Sequence, residues 1–114
     1  MNDCIFCKII DGEIPSQVVY EDNDVFAFRD LNAQAPLHVL IIPKKHIPTI
    51  NALATDDADV VGKLYLAAKK IAADEGYADE GYRVVMNCGE AAGQTVFHLH
   101  LHLLAGRRLA WPPG

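Results

Sequence analysis

The sequence predicts an α+β fold, a five-stranded antiparallel sheet carrying one long helix, with a short helix at the N-terminus. Three observations lead there. Strand-like runs outnumber helical ones, the first two are joined by a short polar turn, and one convincing long segment repeats its apolar residues at helical spacing. The strand–helix alternation of a parallel Rossmann sheet is absent.

Each element has its own signal. Cys4-Ile5-Phe6-Cys7 sets two thiols three positions apart, which a helical turn brings onto one face. Val18-Val19-Tyr20-Glu21 and Val25-Phe26-Ala27-Phe28 are β-rich and flank Asp22-Asn23-Asp24, a hairpin pattern. Ala35-Pro36 breaks the chain. Leu37 to Ile42 is apolar on both faces and is expected at the sheet centre, stopping at Pro43, which has no amide hydrogen for a ladder. The long helix is expected to start at Thr55 as cap, with Asp56 and Asp57 at its positive end. Val61, Leu64, Tyr65, Ala68, Ile71 and Ala72 form its apolar stripe, and Gly76 ends it. Tyr82 to Met86 and Val96 to Leu104 complete the five strands.

At 114 residues the chain has room for one core, so a single domain over residues 1–114 is expected, closing in a tail over residues 105–114. Stability is modest at this size, and dimerisation would add to it. A formal charge of −5 argues against a nucleic-acid polymer as partner, because displacing counterions from many phosphates takes a basic face. A single nucleotide needs no such field. The start, Met1-Asn2-Asp3-Cys4, lacks the pattern of a secretory signal, and no apolar run reaches the ~20 residues of a membrane span. The expectation is a soluble, cytoplasmic protein with no membrane partner. Cys4, Cys7 and Cys88 are too few for a disulfide framework and are expected as thiols or metal ligands.

The most informative run is His98-Leu99-His100-Leu101-His102-Leu103-Leu104. On a strand the imidazoles share one face, while Phe97, Leu99, Leu101 and Leu103 share the other, the expected core face. One or two such histidines would be read as mere surface. Three in register suit proton transfer near neutral pH. They cannot all hold one zinc ion: at about 3.4 Å per residue His98 and His102 stand ~14 Å apart, against zinc–nitrogen bonds of about 2.1 Å. The three rings must do separate jobs.

This run, preceded by Gly93-Gln94-Thr95-Val96-Phe97 and followed by Trp111-Pro112-Pro113-Gly114, resembles the histidine-triad superfamily in its nucleotide-binding (Hint) branch. Asp30-Leu31, Ala35-Pro36-Leu37-His38, Ile42-Pro43-Lys44-Lys45-His46 and Asn87 also sit where that family's pattern has them, so the likeness covers nearly the whole chain. The resemblance implies the histidine-triad (HIT) fold, with two sheets joined across a homodimer. It implies hydrolysis of purine nucleoside phosphoramidates to the monophosphate and an amine, through a nucleotidyl-histidine on His100 and without a catalytic metal. In that scheme His38 holds the other nitrogen of His100, and His102 contacts phosphate and helps the leaving group take its proton. Asn87, the Thr95 hydroxyl and the amides of Gly93, Gln94 and Thr95 meet the phosphoryl oxygens. Asp30 accepts from the ribose hydroxyls, and Phe6, Ile9, Leu31 and Leu40 form a slot for the purine. Trp111 reaches the partner's active site. The superfamily also hosts hydrolases of dinucleoside polyphosphates; the Trp-Pro-Pro-Gly ending favours the phosphoramidase. A non-catalytic nucleotide-binding scaffold, whose histidines only grip phosphate, is the other alternative. Arg29 before Asp30, and Thr95 where serine is frequent, depart from the commonest pattern.

Cys4 and Cys7 carry three readings: a structural zinc site, ordinary buried thiols, or a redox pair, the last disfavoured because no βαβ unit precedes the motif. A zinc site needs two more ligands, and members of the superfamily with this cysteine pair supply them from the positions that are His46 and His98 here. Cys88 is expected as a packed small residue.

Overall fold

The computed structural model describes residues 3–114 of the chain. Its elements are α1 (Ile5–Ile10), β1 (Val18–Glu21), β2 (Val25–Arg29), β3 (Leu37–Pro43), α2 (Ala58–Asp74), β4 (Arg83–Val85) and β5 (Leu101–Ala105), with short 3-10 turns between. The five strands form one sheet in the order β1-β2-β3-β5-β4, every neighbouring pair antiparallel. β1 and β2 close a hairpin because the Asp22 carboxylate accepts from the amides of Asp24 and Val25, both at 2.8 Å. β3 is buried along its full length, as expected for the central strand. It does not stop before Pro43: Pro43 still pairs with Val25, and its carbonyl is used elsewhere.

The side chains of the central strands sort by parity. Leu37, Val39 and Ile41 of β3 and Leu101, Leu103 and Ala105 of β5 meet Leu64, Ala67, Ala68, Ile71 and Ala72 of α2 in the main core. Burying a leucine or isoleucine there contributes roughly 1.5–3 kcal/mol each, which is what holds a single helix on the sheet. The apolar stripe is turned slightly from the expected one: Tyr65 faces solvent and Ala67 takes its place. Thr55 does not cap α2. Residues 55–57 form a 3-10 turn, Asp57 is the N-cap residue, and its carboxylate accepts from the Ala54 amide at 2.9 Å and from Lys45 at 2.6 Å. Gly76 ends the helix as expected, at φ 88°, where a side chain would be strained.

The opposite face of the sheet carries a smaller cluster, Phe6 and Ile9 of α1 with Phe26, Phe28, Leu40 and Ile42. His38 and His102 share this face; the register sets Leu40 opposite His102 and His38 opposite Leu104, so the two histidines are diagonal neighbours. β5 is shorter than the expected run from Val96. The ladder begins only at Leu101, paired with Ile41, although β3 runs on to Pro43. Before it, the Gln94 side-chain amide donates to the carbonyls of Pro48 and Val96, and the Leu99 amide to that of Ile47. The alternation nevertheless survives from His98 to Leu103, with Leu99 buried in the main core. Phe97 leaves it and is half exposed. Ala105 still belongs to β5, so the irregular tail starts at Gly106. No helix among the described residues is long and apolar enough to cross a membrane.

Candidate active site and metal centre

The three histidines of the run have three different surroundings, and hydrogen-bond partners fix the tautomer of each. His98 is fully buried. Its Nε2 donates to the Pro43 carbonyl at 2.8 Å, so its Nδ1 carries a lone pair. That lone pair faces Cys4 Sγ at 3.3 Å, Cys7 Sγ at 3.6 Å and His46 Nδ1 at 3.2 Å, while Cys7 Sγ lies 3.4 Å from His46 Nδ1. All four donor atoms lie within 4.8 Å of one another. Ligands of a tetrahedral zinc ion stand about 3.3–3.8 Å apart. The cluster therefore fits such an ion in donor chemistry, spacing and outer support, the Pro43 carbonyl being the partner that aims His98. The four residues are those the resemblance implied.

His100 is buried except toward a cavity. Its Nδ1 donates to the backbone carbonyl of His98 at 2.7 Å, an acceptor only, so the proton sits on Nδ1 and the lone pair on Nε2. This corrects the role expected for His38. The second nitrogen of His100 is held by the main chain two residues before it, and His38 stands elsewhere. The Gln34 amide donates to His38 Nδ1 at 3.0 Å, which puts the His38 proton on Nε2. From there it reaches His102 Nδ1 at 2.9 Å, with an Asp30 carboxylate oxygen 3.4 Å away. His102 consequently carries its own proton on Nε2. Asp30, His38 and His102 also lie close enough to suggest a second metal site. The tautomer speaks against it: a nitrogen that bears a proton has no lone pair to give, and the group is a hydrogen-bond relay.

The cavity is about 480 Å³ and is lined by Phe6, Asp30, Asn32, Gln34, His38, Leu40, Thr95, Val96, His100 and His102. A narrower apolar pocket of about 210 Å³, enclosed by α1, the loop before β1 and the end of β2, shares Phe6, Asp30 and Leu40 with it and adds Ile9 and Leu31. The expected slot residues thus meet, although Leu31 is 97% exposed and only rims the opening. Phe6 stands edge-on to His100 at 5.2 Å between centroids and to Phe28 at 5.4 Å. The Gly93-Gln94-Thr95 turn is less generous than expected. The Gly93 amide is spent on Glu90 and the Gln94 amide on Gly89, and the Gln94 side chain is buried in loop contacts, accepting from the Gly89 amide at 2.9 Å. Thr95 alone of the three lines the cavity. Asn87 is half-buried beside Gly93, outside the lining, and Trp111 is 82% exposed on the tail. Sequence reasoning missed Gln34 and Pro43, because both act through the backbone, where residue type carries no signal.

Burial pushes His102 down to about 4, helped by the neighbouring imidazoles of His100 and His38 and opposed by Asp30. His38 is lowered too, by burial, against the pull of Asp30. An unfolded chain protonates both near pH 6.5, so between there and about pH 4 the unfolded state binds more protons. Stability is therefore complete above about pH 6.5 and is lost as pH falls through that window. Discounted for the partial exposure of His102, its share is roughly 2 kcal/mol. Urea unfolding at pH 7 and pH 4.5 should show this loss in the native chain and less of it in His102→Gln; equal losses would show that His102 is not held neutral.

A five-stranded antiparallel sheet that sets a free imidazole nitrogen and two relayed histidines over one cavity defines a histidine-triad protein. The chain belongs to the HIT family: residues 11–109 match the HIT domain. It is 54% identical over 112 residues to an uncharacterised HIT-like protein of Synechocystis sp., covering 98% of this chain and 97% of that one. Among solved structures it is similar to a HIT family hydrolase from Legionella pneumophila (TM-score 0.96, 54% identity, 98% of this chain and 100% of that chain). It is likewise similar to a HIT family hydrolase from Clostridium thermocellum (TM-score 0.93, 50% identity, 96% of each chain). Its general class is that of the family's hydrolases.

Proposed function

We propose that this chain is a purine nucleotide phosphoramidase of the nucleotide-binding branch, cleaving the P–N bond of adenosine or guanosine 5′-phosphoramidates. The observation that carries the reading is the Nε2 lone pair of His100, freed toward the cavity by the bond from its Nδ1 to the His98 carbonyl. A neutral imidazole in that tautomer is a nucleophile without further activation.

Bound substrate lays its base in the apolar pocket against Phe6, Ile9 and Leu40, with the ribose at Asp30 and the α-phosphate between His100, His102 and Thr95. A phosphate anion beside His102 favours the charged ring, which takes a proton from solvent as substrate binds. His102 Nδ1, now protonated, can no longer accept from His38 Nε2, whose N–H turns its hydrogen bond to the Asp30 carboxylate 3.4 Å away. The His100 lone pair forms the N–P bond, the substrate P–N bond breaks with its electron pair on nitrogen, and that nitrogen receives the proton from His102. A neutral amine leaves. The His98 carbonyl stabilises the imidazolium formed on His100, as a fixed dipole at developing charge should. Neutral His102 next takes a proton from water, which attacks phosphorus and releases the nucleoside monophosphate with His100 restored.

Cys4, Cys7, His46 and His98 would hold zinc as a structural ion, tying α1 to the approach to β5. We further propose one domain over the whole chain, acting as a homodimer in the cytoplasm. β4 lies at the sheet edge with one side unpaired in the single chain, and exposed Trp111 suits contact with a partner's site. None of the three cysteines is in a disulfide, in keeping with a reducing compartment.

Mixing enzyme with adenosine 5′-phosphoramidate and quenching in alkali should give a mass increase of one AMP unit on the peptide carrying His100. Steady-state comparison with diadenosine polyphosphates should give the higher kcat/KM for the phosphoramidate. The opposite ranking would assign the chain to dinucleoside polyphosphate hydrolysis, and an intact mass at all times would reject the covalent route.

A further inference from the structure

The nucleophile's tautomer depends on a segment the sheet does not hold. The β5 ladder starts at Leu101, and the carbonyl that receives the His100 Nδ1 proton belongs to His98, three residues earlier. What fixes that carbonyl is mostly the His98 ring, clamped between the Pro43 carbonyl on one nitrogen and the Cys4, Cys7 and His46 donors on the other. Among the described residues the main chain nearby is also tethered by the Leu99 amide on the Ile47 carbonyl and by the Gln94 side-chain amide on the Val96 carbonyl. The helix that delivers the thiols also delivers Phe6, whose ring lies edge-on to both His98 and His100. At six residues α1 is far below the length at which a helix stands alone, so it depends on its attachments.

We propose that the metal-holding residues Cys4, Cys7 and His46 are positioning residues for His100, because the ligand His98 is at once a ring of the metal centre and, through its carbonyl, the seat of the nucleophile. The orientation of His100 rests on zinc occupying the cluster, and its effect on rate rests on the proposed role of His100 as nucleophile. Without the ion the four side chains keep only hydrogen bonds among thiols and ring nitrogens, far weaker than coordinate bonds to a metal. Separation of α1 from His98 releases the ring, the His98 carbonyl loses its fixed direction, and His100 samples the form protonated on Nε2, which cannot attack phosphorus. The centre thus acts on kcat through orientation, without touching substrate.

The test uses protein labelled with nitrogen-15 at histidine, zinc-loaded and chelator-stripped, with zinc content measured by elemental analysis. Two-bond proton–nitrogen spectra report which ring nitrogen of each histidine is protonated. In the loaded protein His100 should show the proton on Nδ1 alone. Stripping, or Cys7→Ser, should spread it over both nitrogens while the amide signals of β3 and β5 stay in place, and should slow nucleotidyl-histidine formation in a single turnover about 10–100-fold. Should Cys7→Ser fail to fold, His46→Asn removes one exposed ligand, leaves both thiols on α1 and gives the same reading. The same His100 tautomer with and without zinc overturns the proposal, as does a protein that takes up no zinc. A zinc-dependent tautomer in a protein that forms no nucleotide adduct rejects the phosphoramidase reading and leaves the positioning role standing.

Discussion

His100→Ala is expected to abolish turnover while leaving nucleotide binding within a few-fold of the native value. Loss of the attacking atom cannot be made up by His38 or His102, because the structure gives their facing nitrogens other work: His38 Nε2 is a donor, and His102 Nδ1 is its acceptor. Removing a group that forms the covalent bond costs on the order of 10⁴–10⁶-fold in kcat. Binding draws chiefly on other atoms that the variant keeps, the apolar pocket around Phe6 and Leu40, the carboxylate of Asp30 and, at the phosphate, His102 and Thr95. Isothermal titration with AMP should therefore give similar affinity for the variant and the native chain, and kcat should fall below detection. A variant that retained more than about a hundredth of the native rate, far above the loss expected for a nucleophile, would show that the phosphate is attacked by water directly.

Much of this site was legible in the residue order. Alternation between histidine and leucine sets the rings on one face, and residue spacing alone forbids a single metal for all three; the structure gives the three rings three environments, as that argument requires. The hairpin turn and the end of α2 at Gly76 also follow from local chemistry, since an aspartate can hold two amides and glycine tolerates φ 88°. What the sequence could not carry is the backbone's part. The Pro43 and His98 carbonyls and the Gln34 amide set three tautomers, and any residue type offers the same carbonyl. Pairing decided the rest: the β5 ladder begins only at Leu101, and Phe97, four residues before it, lies half exposed although the pattern puts it inside. The phosphate cradle was overestimated for a related reason. A glycine-rich turn promises amides, but Gly93 and Gln94 close their own turn with them.

His102→Gln should separate substrates by the basicity of their leaving groups. Glutamine retains a donor near the phosphate but cannot deliver a proton, so the variant loses acid catalysis and keeps most of its polar contacts. For phosphoramidates of basic amines, which cannot depart as anions, adduct formation should slow by about 10²–10⁴-fold, the usual worth of a positioned general acid. For a nucleotide with an acidic leaving group, such as a nitrophenyl ester, the same step should slow less than about tenfold, because the bonding pair is stable on that oxygen without a proton. Single-turnover rates across a series of leaving groups should give a shallow dependence on leaving-group pKa in the native enzyme and a steep one in the variant. Burst kinetics must isolate adduct formation, since the later attack by water also uses His102 and would slow for every substrate alike. Parallel lines, with the same loss for aniline, alkylamine and nitrophenol, would mean that His102 only grips phosphate, and the proton would then have to reach the amine from solvent through the open side of the cavity.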